Sequence, residues 1–471
     1  MSAGAQPPNE LGDLTARPTS EVAGALDGGQ FFQPIDWLSC GITVVAAALV
    51  YFWTMAPDVT LEYSGLVTTG AAYAGVPHPP GYPLWTIYSW LFIKLLPLSN
   101  LAWRVAVGSA VAAALACGLV ALMVSRGGQM LLEITATFAR GKPGDQNIAR
   151  VICGWVAGMA LGFSNAVWRE AVIADIWALS VLLFAAMLCL LMRWSFAPPR
   201  RGFAYGAFLI FGSILTSNQE LILVAPALLL LILLNDQALG RDLFLVIGIL
   251  ATIAWLTNRF AGFPWPDSFA HHNGPLLLAV FLLAVAATVA IRRTRQVGSE
   301  WKSATLCGAC LLLGLAWYLY LPIASMTNPP VNWAYTRTVA GFGHAITRGQ
   351  YEQVHPTADI GRFIAQLWIL TKATGRGFGW IYLGFVVPPF CVLRRTGGHA
   401  RHWLLGLSAV LVCAGPLMVA TLNPSADTQS VEIIEPFFSA MFVVLSILMG
   451  LGLMVVRSTI ANPVASCDRT A

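Results

Sequence analysis

Residues 84–98 read LWTIYSWLFIKLLPL, and the topology of the whole chain turns on whether they cross a membrane or lie along it. The stretch is shorter than the ~20 apolar residues that span a hydrocarbon core, and Lys94 interrupts it. On either side of it, apolar windows with basic flanks predict spans at 37–55, 103–125, 151–168, 171–192, 203–217, 220–234, 243–258, 275–291, 304–321, 378–393, 403–421 and 436–456. Lys and Arg collect in short cytoplasmic loops. If 84–98 does not cross, 18 of the 27 Lys and Arg residues fall on the side of the two termini and 9 on the other. If it crosses, the N-terminal tail lies opposite the basic loops. The stretch is therefore expected to be an interfacial amphipathic helix on the outer face.

The predicted fold class is all-α, a polytopic membrane protein with about 12 transmembrane helices and a large first outer loop, 56–102, carrying the interfacial helix. A second large outer loop runs over 322–377. Residues 1–35 are polar, Pro/Gly-rich and lack the basic start and short apolar core of a signal peptide, so they are expected to be a disordered cytoplasmic tail. Residues 36–457 form the transmembrane domain and 458–471 a second cytoplasmic tail. Composition supports this class: 57% of residues are hydrophobic, 10% are charged, and mean hydropathy is +0.70, whereas a soluble domain is about 25% charged. The net charge of +5 is scattered through short loops, which excludes a nucleic-acid surface. Nine cysteines lie mostly inside apolar runs, as small buried hydrophobes do. Cys307 and Cys310 lack further ligands nearby, so neither metal nor redox use is expected of them.

The polar chemistry faces the outer side. The first loop contains VTLEYSGLVTTGAAYAGVPHPPGYP, residues 59–83. Burial at an interface raises a carboxylate's pKa and improves it as a base, which suits Glu62, with Asp58 just before it. Pro77, Pro79 and Pro80 restrict the backbone around His78. The alternative is structural: Glu62 pairs with an outer arginine such as Arg104, and the prolines end a loop. In the second loop Arg337, Arg348, Arg362, Lys372 and Arg376 are candidates for holding a phosphate. Trp333, Tyr335, Phe342 and Tyr351 are candidates for stacking on a sugar or a lipid. Asn218, Gln219 and Glu220 sit where two spans meet, and polar groups there are costly unless paired or used. Arg169 and Glu170 read as a neighbour pair anchoring a span end. His271 and His272 beside Asp267 are adjacent on a loop and are not expected to converge on one ion.

APDVTLEYSG (56–65), AAYAGVPHPPGYPLW (71–85) and AWRVAVGSAVAAAL (102–115) resemble the signature of a bacterial membrane family of the GT-C type, whose eukaryotic relative O-mannosylates the IPT domains of receptors such as plexins. NAVWREAVIADIWALSVLL (165–183), GSILTSNQELILVAPALL (212–229) and YLPIASMTNPPVNWAYTRTVAGFGHAITRGQY (320–351) fit the same family in order. Tyr63 and Leu66 stand where that family usually carries acids, and Ala324 where it carries arginine. Glu62 and Arg348 are the nearby carboxylate and cation.

The resemblance implies inverting transfer of a sugar from a polyprenyl-phosphate-linked donor to a protein or glycan hydroxyl on the outer face. It gives Glu62 the role of acceptor base, with Asp58 in reserve, and His78 that of an orienting or donor-binding group. Arg348 and Arg104 would contact the phosphate, while Asn332, Trp333 and Tyr351 would shape the sugar or lipid pocket. Membrane lipids, the lipid-linked sugar and the acceptor are the expected partners, with no metal or other cofactor. The expected location is a bacterial inner membrane, both termini cytoplasmic. A non-catalytic lipid-sugar binding protein or flippase sharing the fold is the second reading; the position of the acids at the outer rim and the lack of paired repeats favour the enzyme.

Overall fold

The computed structural model describes residues 30–60, 63–133, 143–260, 273–350, 356–425 and 434–461. Their regular structure is helical, with one isolated parallel bridge, Val76 to Asn332, as the sole β pairing among them. The first half contains α1 (Pro34–Thr54), α2 (Ser64–Ala72), α3 (Pro83–Leu95), α4 (Leu101–Glu133), α5 (Pro143–Gly162), α6 (Asn165–Ala171), α7 (Trp177–Ser195) and α8 (Gly202–Leu215). It continues with α9 (Ala225–Asn235), α10 (Gln237–Phe260), α11 (Asn273–Thr294), α12 (Trp301–Leu315), α13 (Tyr320–Met326) and α14 (Val339–Ile346). The last part holds α15 (Ile360–Phe378), α16 (Trp380–Leu383), α17 (Pro388–Cys391), α18 (Gly398–Val412), α19 (Met418–Leu422) and α20 (Ser439–Ala461).

A helix or broken helix occupies each of the twelve stretches expected to span. By length and composition, however, only six helical segments among the described residues are long and apolar enough alone: Pro34–Thr54, Leu101–Leu131, Trp177–Ser195, Trp301–Met326, Gly398–Leu422 and Glu435–Ile460. Two bent pairs bring the number to eight, α5 with α6 at 72° and Ile360–Phe378 with Trp380–Arg395 at 106°. The all-α multispan class stands; the expected count of twelve crossings is not confirmed.

The core lies where α1, α4, α5, α7 and α20 pack together. Lipid tails are as apolar as leucine, so helices in a bilayer associate through close packing of small residues. Gly154, Gly158 and Gly162 on α5 supply that surface. A Cβ at Gly154 would stand 2.4 Å from Ser39 Oγ, and one at Gly158 2.5 Å from Thr43 Cγ2. Tyr51 Oη donates to the Gly162 carbonyl at 2.9 Å. At the other end of α1, fully buried Asp36 pairs with Arg150 at 2.7 Å and accepts from Ser125 Oγ at 2.5 Å.

α3 is the stretch on which the topology turns. Its 13 residues rise about 20 Å at ~1.5 Å each, short of the ~30 Å hydrocarbon thickness. Pro83 at its first position is preorganised for a helix. Trp85, Thr86, Ser89 and Ile93 turn inward while Leu91, Lys94 and Leu95 are exposed. Tyr88 Oη ties it to the Gly108 carbonyl of α4 at 2.8 Å.

Candidate functional site

The first loop reaches the second through the backbone. Val76 N donates to the Val331 carbonyl at 2.9 Å, and Trp333 N to the Val76 carbonyl at 3.0 Å. This approach requires glycine beforehand, because a Cβ at Gly75 would meet the Val331 oxygen at 2.4 Å. Tyr320 Oη donates to the Gly75 carbonyl at 3.1 Å. Beneath the bridge, Val76, Leu321 and Ala324 form a small apolar cluster, so Ala324 is a buried packing residue here. The His-Pro-Pro-Gly element then turns back: Gly81, at φ +96°, donates to the His78 carbonyl at 2.7 Å. The Pro79–Pro80 peptide is cis.

His78 is thereby held in a slot between two aromatic edges. Its ring lies 5.6 Å from Tyr63 and 5.1 Å from Tyr82, near-perpendicular to both. Burial, and then the charge of nearby Arg348, hold its pKa below the usual imidazole range. Arg348 itself, with φ +54°, is paired: Nη1 donates to Glu220 Oε1. Gln219 beside it donates to Tyr318 Oη at 2.8 Å and to the Ile346 carbonyl at 2.9 Å. The TSNQE segment (216–220) thus supports the second loop, while the amide of fully buried Asn218 keeps both polar atoms unpartnered.

On the other side of His78, the Tyr63 hydroxyl donates to Asp175 Oδ1 at 3.2 Å and accepts from Trp177 Nε1 at 3.2 Å. Asp175, buried between α6 and α7, also accepts the backbone N–H of Ile176 at 2.5 Å. Its own carbonyl takes Trp85 Nε1 at 2.8 Å. Glu170 lies beside it, bonded to Arg169 at 3.0 Å, as the neighbour-pair reading expects. Asp175 stands in the turn between α6 and α7, and Glu170 in the last turn of α6, the short arm beyond the 72° bend. Burial and the mutual proximity of the pair hold the Glu170 pKa well above the usual carboxylate range, and burial raises that of Asp175. Glu170 Oε2 finds no protein donor; a proton kept on Glu170 and shared with Asp175 relieves the repulsion.

The outcome is a half-buried row running Glu170, Asp175, Tyr63, His78, Arg348, Glu220. It offers a hydroxyl, an imidazole held toward its neutral form, a carboxyl pair held toward protonation and a guanidinium, flanked by aromatic edges. Such groups bind a polyol and handle a proton. Of the residues expected at a site, His78, Arg348 and Asn332 meet here. Asn332 Nδ2 donates to the Ser325 carbonyl at 3.2 Å while its buried Oδ1 is unpartnered. Trp333 is half exposed and donates to Gln350 at 2.7 Å. Asp58 is exposed, its carboxylate accepting from Val59 N at 2.7 Å. Arg104 does not join the row: its guanidinium donates to the Ile93, Leu98 and Ser99 carbonyls at 3.1, 2.9 and 3.0 Å, closing the end of α3. Glu62, Tyr351, Asp267, His271 and His272 lie outside the described residues.

Sequence reasoning gave Asp175 no role and read Glu170 only as an anchor; their signal was two acids within an otherwise apolar span entrance. It also missed Glu220 as the partner of Arg348. Among the described residues no three His, Cys, Asp or Glu side chains gather as a metal site requires.

Comparison with known proteins agrees with the resemblance. Residues 64–240 match the family described as the Protein O-mannosyl-transferase TMEM260 N-terminal domain. The mouse Protein O-mannosyl-transferase TMEM260 is 28% identical over 148 residues, 31% of this chain and 18% of the mouse protein. The Dictyostelium discoideum protein of the same name is 24% identical over 152 residues, 32% of this chain and 16% of that protein. The alignments therefore cover less than a fifth of those relatives' own length.

Proposed function

Taking residues 64–240 as a domain of that family, we propose that this chain is a membrane O-mannosyltransferase that takes its sugar from a polyprenyl-phosphate donor. The acceptor is a protein hydroxyl at the face where the two large loops meet, and transfer inverts the anomeric carbon. The acceptor oxygen forms a bond to that carbon while the bond to the phosphate oxygen breaks. The electron pair leaves with the lipid phosphate, and the hydroxyl proton passes to a first-loop carboxylate. Glu62, adjacent to Tyr63 in sequence, is the proposed base, with Asp58 in reserve. His78, kept neutral by burial and by Arg348, accepts or donates one hydrogen bond to the sugar without adding positive charge. The Arg348 guanidinium, oriented by Glu220, faces the developing anionic charge.

The observation that supports this reading best is the backbone bridge between Val76 and Asn332, which brings Arg348 to the polar residues of the matched domain. Its test is transfer from polyprenyl-phosphate mannose by the purified chain, comparing wild type with Glu62→Gln. A fall in rate of about 10²-fold or more is expected on loss of a general base. Undiminished transfer by the variant excludes Glu62. Donor binding without transfer by the wild type points instead to a lipid-sugar binding role.

A further inference from the structure

Beside the carboxyl pair, between α6 and the last turn of α15, lies an open cavity of about 350 Å³ lined by Phe163, Asn165, Trp168, Arg169, Arg376 and Gly377. That volume falls in the ~300–1,000 Å³ range of small-ligand clefts. Two arginines line it, Arg169 from α6 and Arg376 from α15. Arg376 is exposed and pairs with no carboxylate among the described residues. Arg169 bonds to Glu170, whose carboxyl is held toward its protonated form, and Asn165 of the lining donates to the Glu435 carboxylate at 3.3 Å. The rim is of a different character. Trp168 donates to Thr54 in the last turn of α1 at 3.1 Å. The chain on either side of the cavity leaves large apolar side chains bare: Trp53 is 90% exposed, Trp380 56% and Ile381 83%. Exposed tryptophans at helix ends mark the level of lipid head groups.

We propose that this cavity binds the phosphate head group of a membrane lipid, with Arg169 and Arg376 gripping the phosphate oxygens from two sides and the lipid chains leaving over the aromatic rim. Guanidinium suits this role because its planar fork meets phosphate oxygens in pairs. The source of the phosphate is either a polyprenyl carrier or a bulk phospholipid. The site does not depend on whether the chain transfers sugar.

The test is equilibrium binding to the full-length chain in detergent, using polyprenyl monophosphate, the matching polyprenol, phosphatidylglycerol and inorganic phosphate. Arg376→Gln is the informative variant, since the residue is exposed and its loss leaves the fold intact. Arg362→Gln, on the same helix but outside the cavity, is the control. At least one lipid phosphate is expected to weaken about tenfold in Arg376→Gln and not in Arg362→Gln, with Arg376→Lys intermediate and polyprenol indifferent to all three. Selective weakening of polyprenyl phosphate identifies the carrier, and of phosphatidylglycerol the bulk lipid. Unchanged affinity for both lipids in Arg376→Gln, equal losses in the control, or inorganic phosphate bound as tightly as the lipids would overturn the proposal. Arg376-dependent lipid binding without sugar transfer would uphold it while sinking the transferase reading.

Discussion

Tyr63 stands where the resemblance places an acid, and its hydroxyl reaches a carboxylate on another loop, Asp175, 112 residues away. A local acid is thus exchanged for a phenol backed by a remote one. That exchange was not legible in the sequence, because Tyr63 meets Asp175 only through packing of the first loop on the turn between α6 and α7, which no helical or strand period encodes. The slot around His78 was half legible: the prolines announced a rigid turn, but not the aromatic edges of Tyr63 and Tyr82. The slot has a consequence in pH. With the native pKa of His78 depressed by burial and Arg348, the folded state binds fewer protons than the unfolded state. Stability therefore falls as pH drops through about 6.5, the unperturbed imidazole value, and stops falling once native His78 is itself protonated. Thermal unfolding of the detergent-purified chain between about pH 8 and 5 should show a shallower acid loss in His78→Gln than in wild type. Parallel curves for the two would mean that His78 is not the group responsible.

Among elements, the pairing of Val76 with Asn332 is the one that assembles the site, and it has the weakest sequence signature. Backbone hydrogen bonds leave no side-chain pattern; the sole trace is Gly75, where only a hydrogen fits beneath the Val331 carbonyl. α3, by contrast, was legible as a short helix from its length and Lys94, with the count of basic loop residues deciding its expected place; that Arg104 ties its guanidinium to three carbonyls at the end of this helix was not. Gly75→Ala is expected to push the two loops apart, since its Cβ would stand 2.4 Å from the Val331 oxygen and 3.2 Å from Pro329. Overpacking of this kind costs about 1–3 kcal/mol. The measurement is a lowered thermal midpoint with faster proteolysis within residues 327–338. Gly308→Ala, at a glycine with nothing within 4 Å of the added atom and no positive φ, is the control for adding a methyl group without the clash. Equal losses in the two variants would remove the steric argument.

At the scale of the whole molecule, the same bridge constrains the topology more tightly than charge counting does. Val76 precedes α3 and Asn332 follows α13, yet their backbones are hydrogen-bonded, so the chain between them crosses the membrane an even number of times. The eight spans expected between 103 and 321 satisfy that parity only if α3 does not cross. This holds although only some of those helices are long and apolar enough to qualify alone: α8 and α9 are short, and a short helix buried among others needs no full apolar length. The parity can be read directly by single-cysteine labelling with a membrane-impermeant maleimide. Asp58→Cys and Val339→Cys, both at exposed positions, the latter 91% exposed, should label from the same side of the membrane. Pro199→Cys, exposed in the turn between α7 and α8, should label only from the other. Labelling of Asp58→Cys and Val339→Cys from opposite sides would mean an odd number of crossings between them, with α3 spanning or another helix failing to span, and the bridge broken in the membrane. In that case the row from Glu170 to Glu220 could not form a single site.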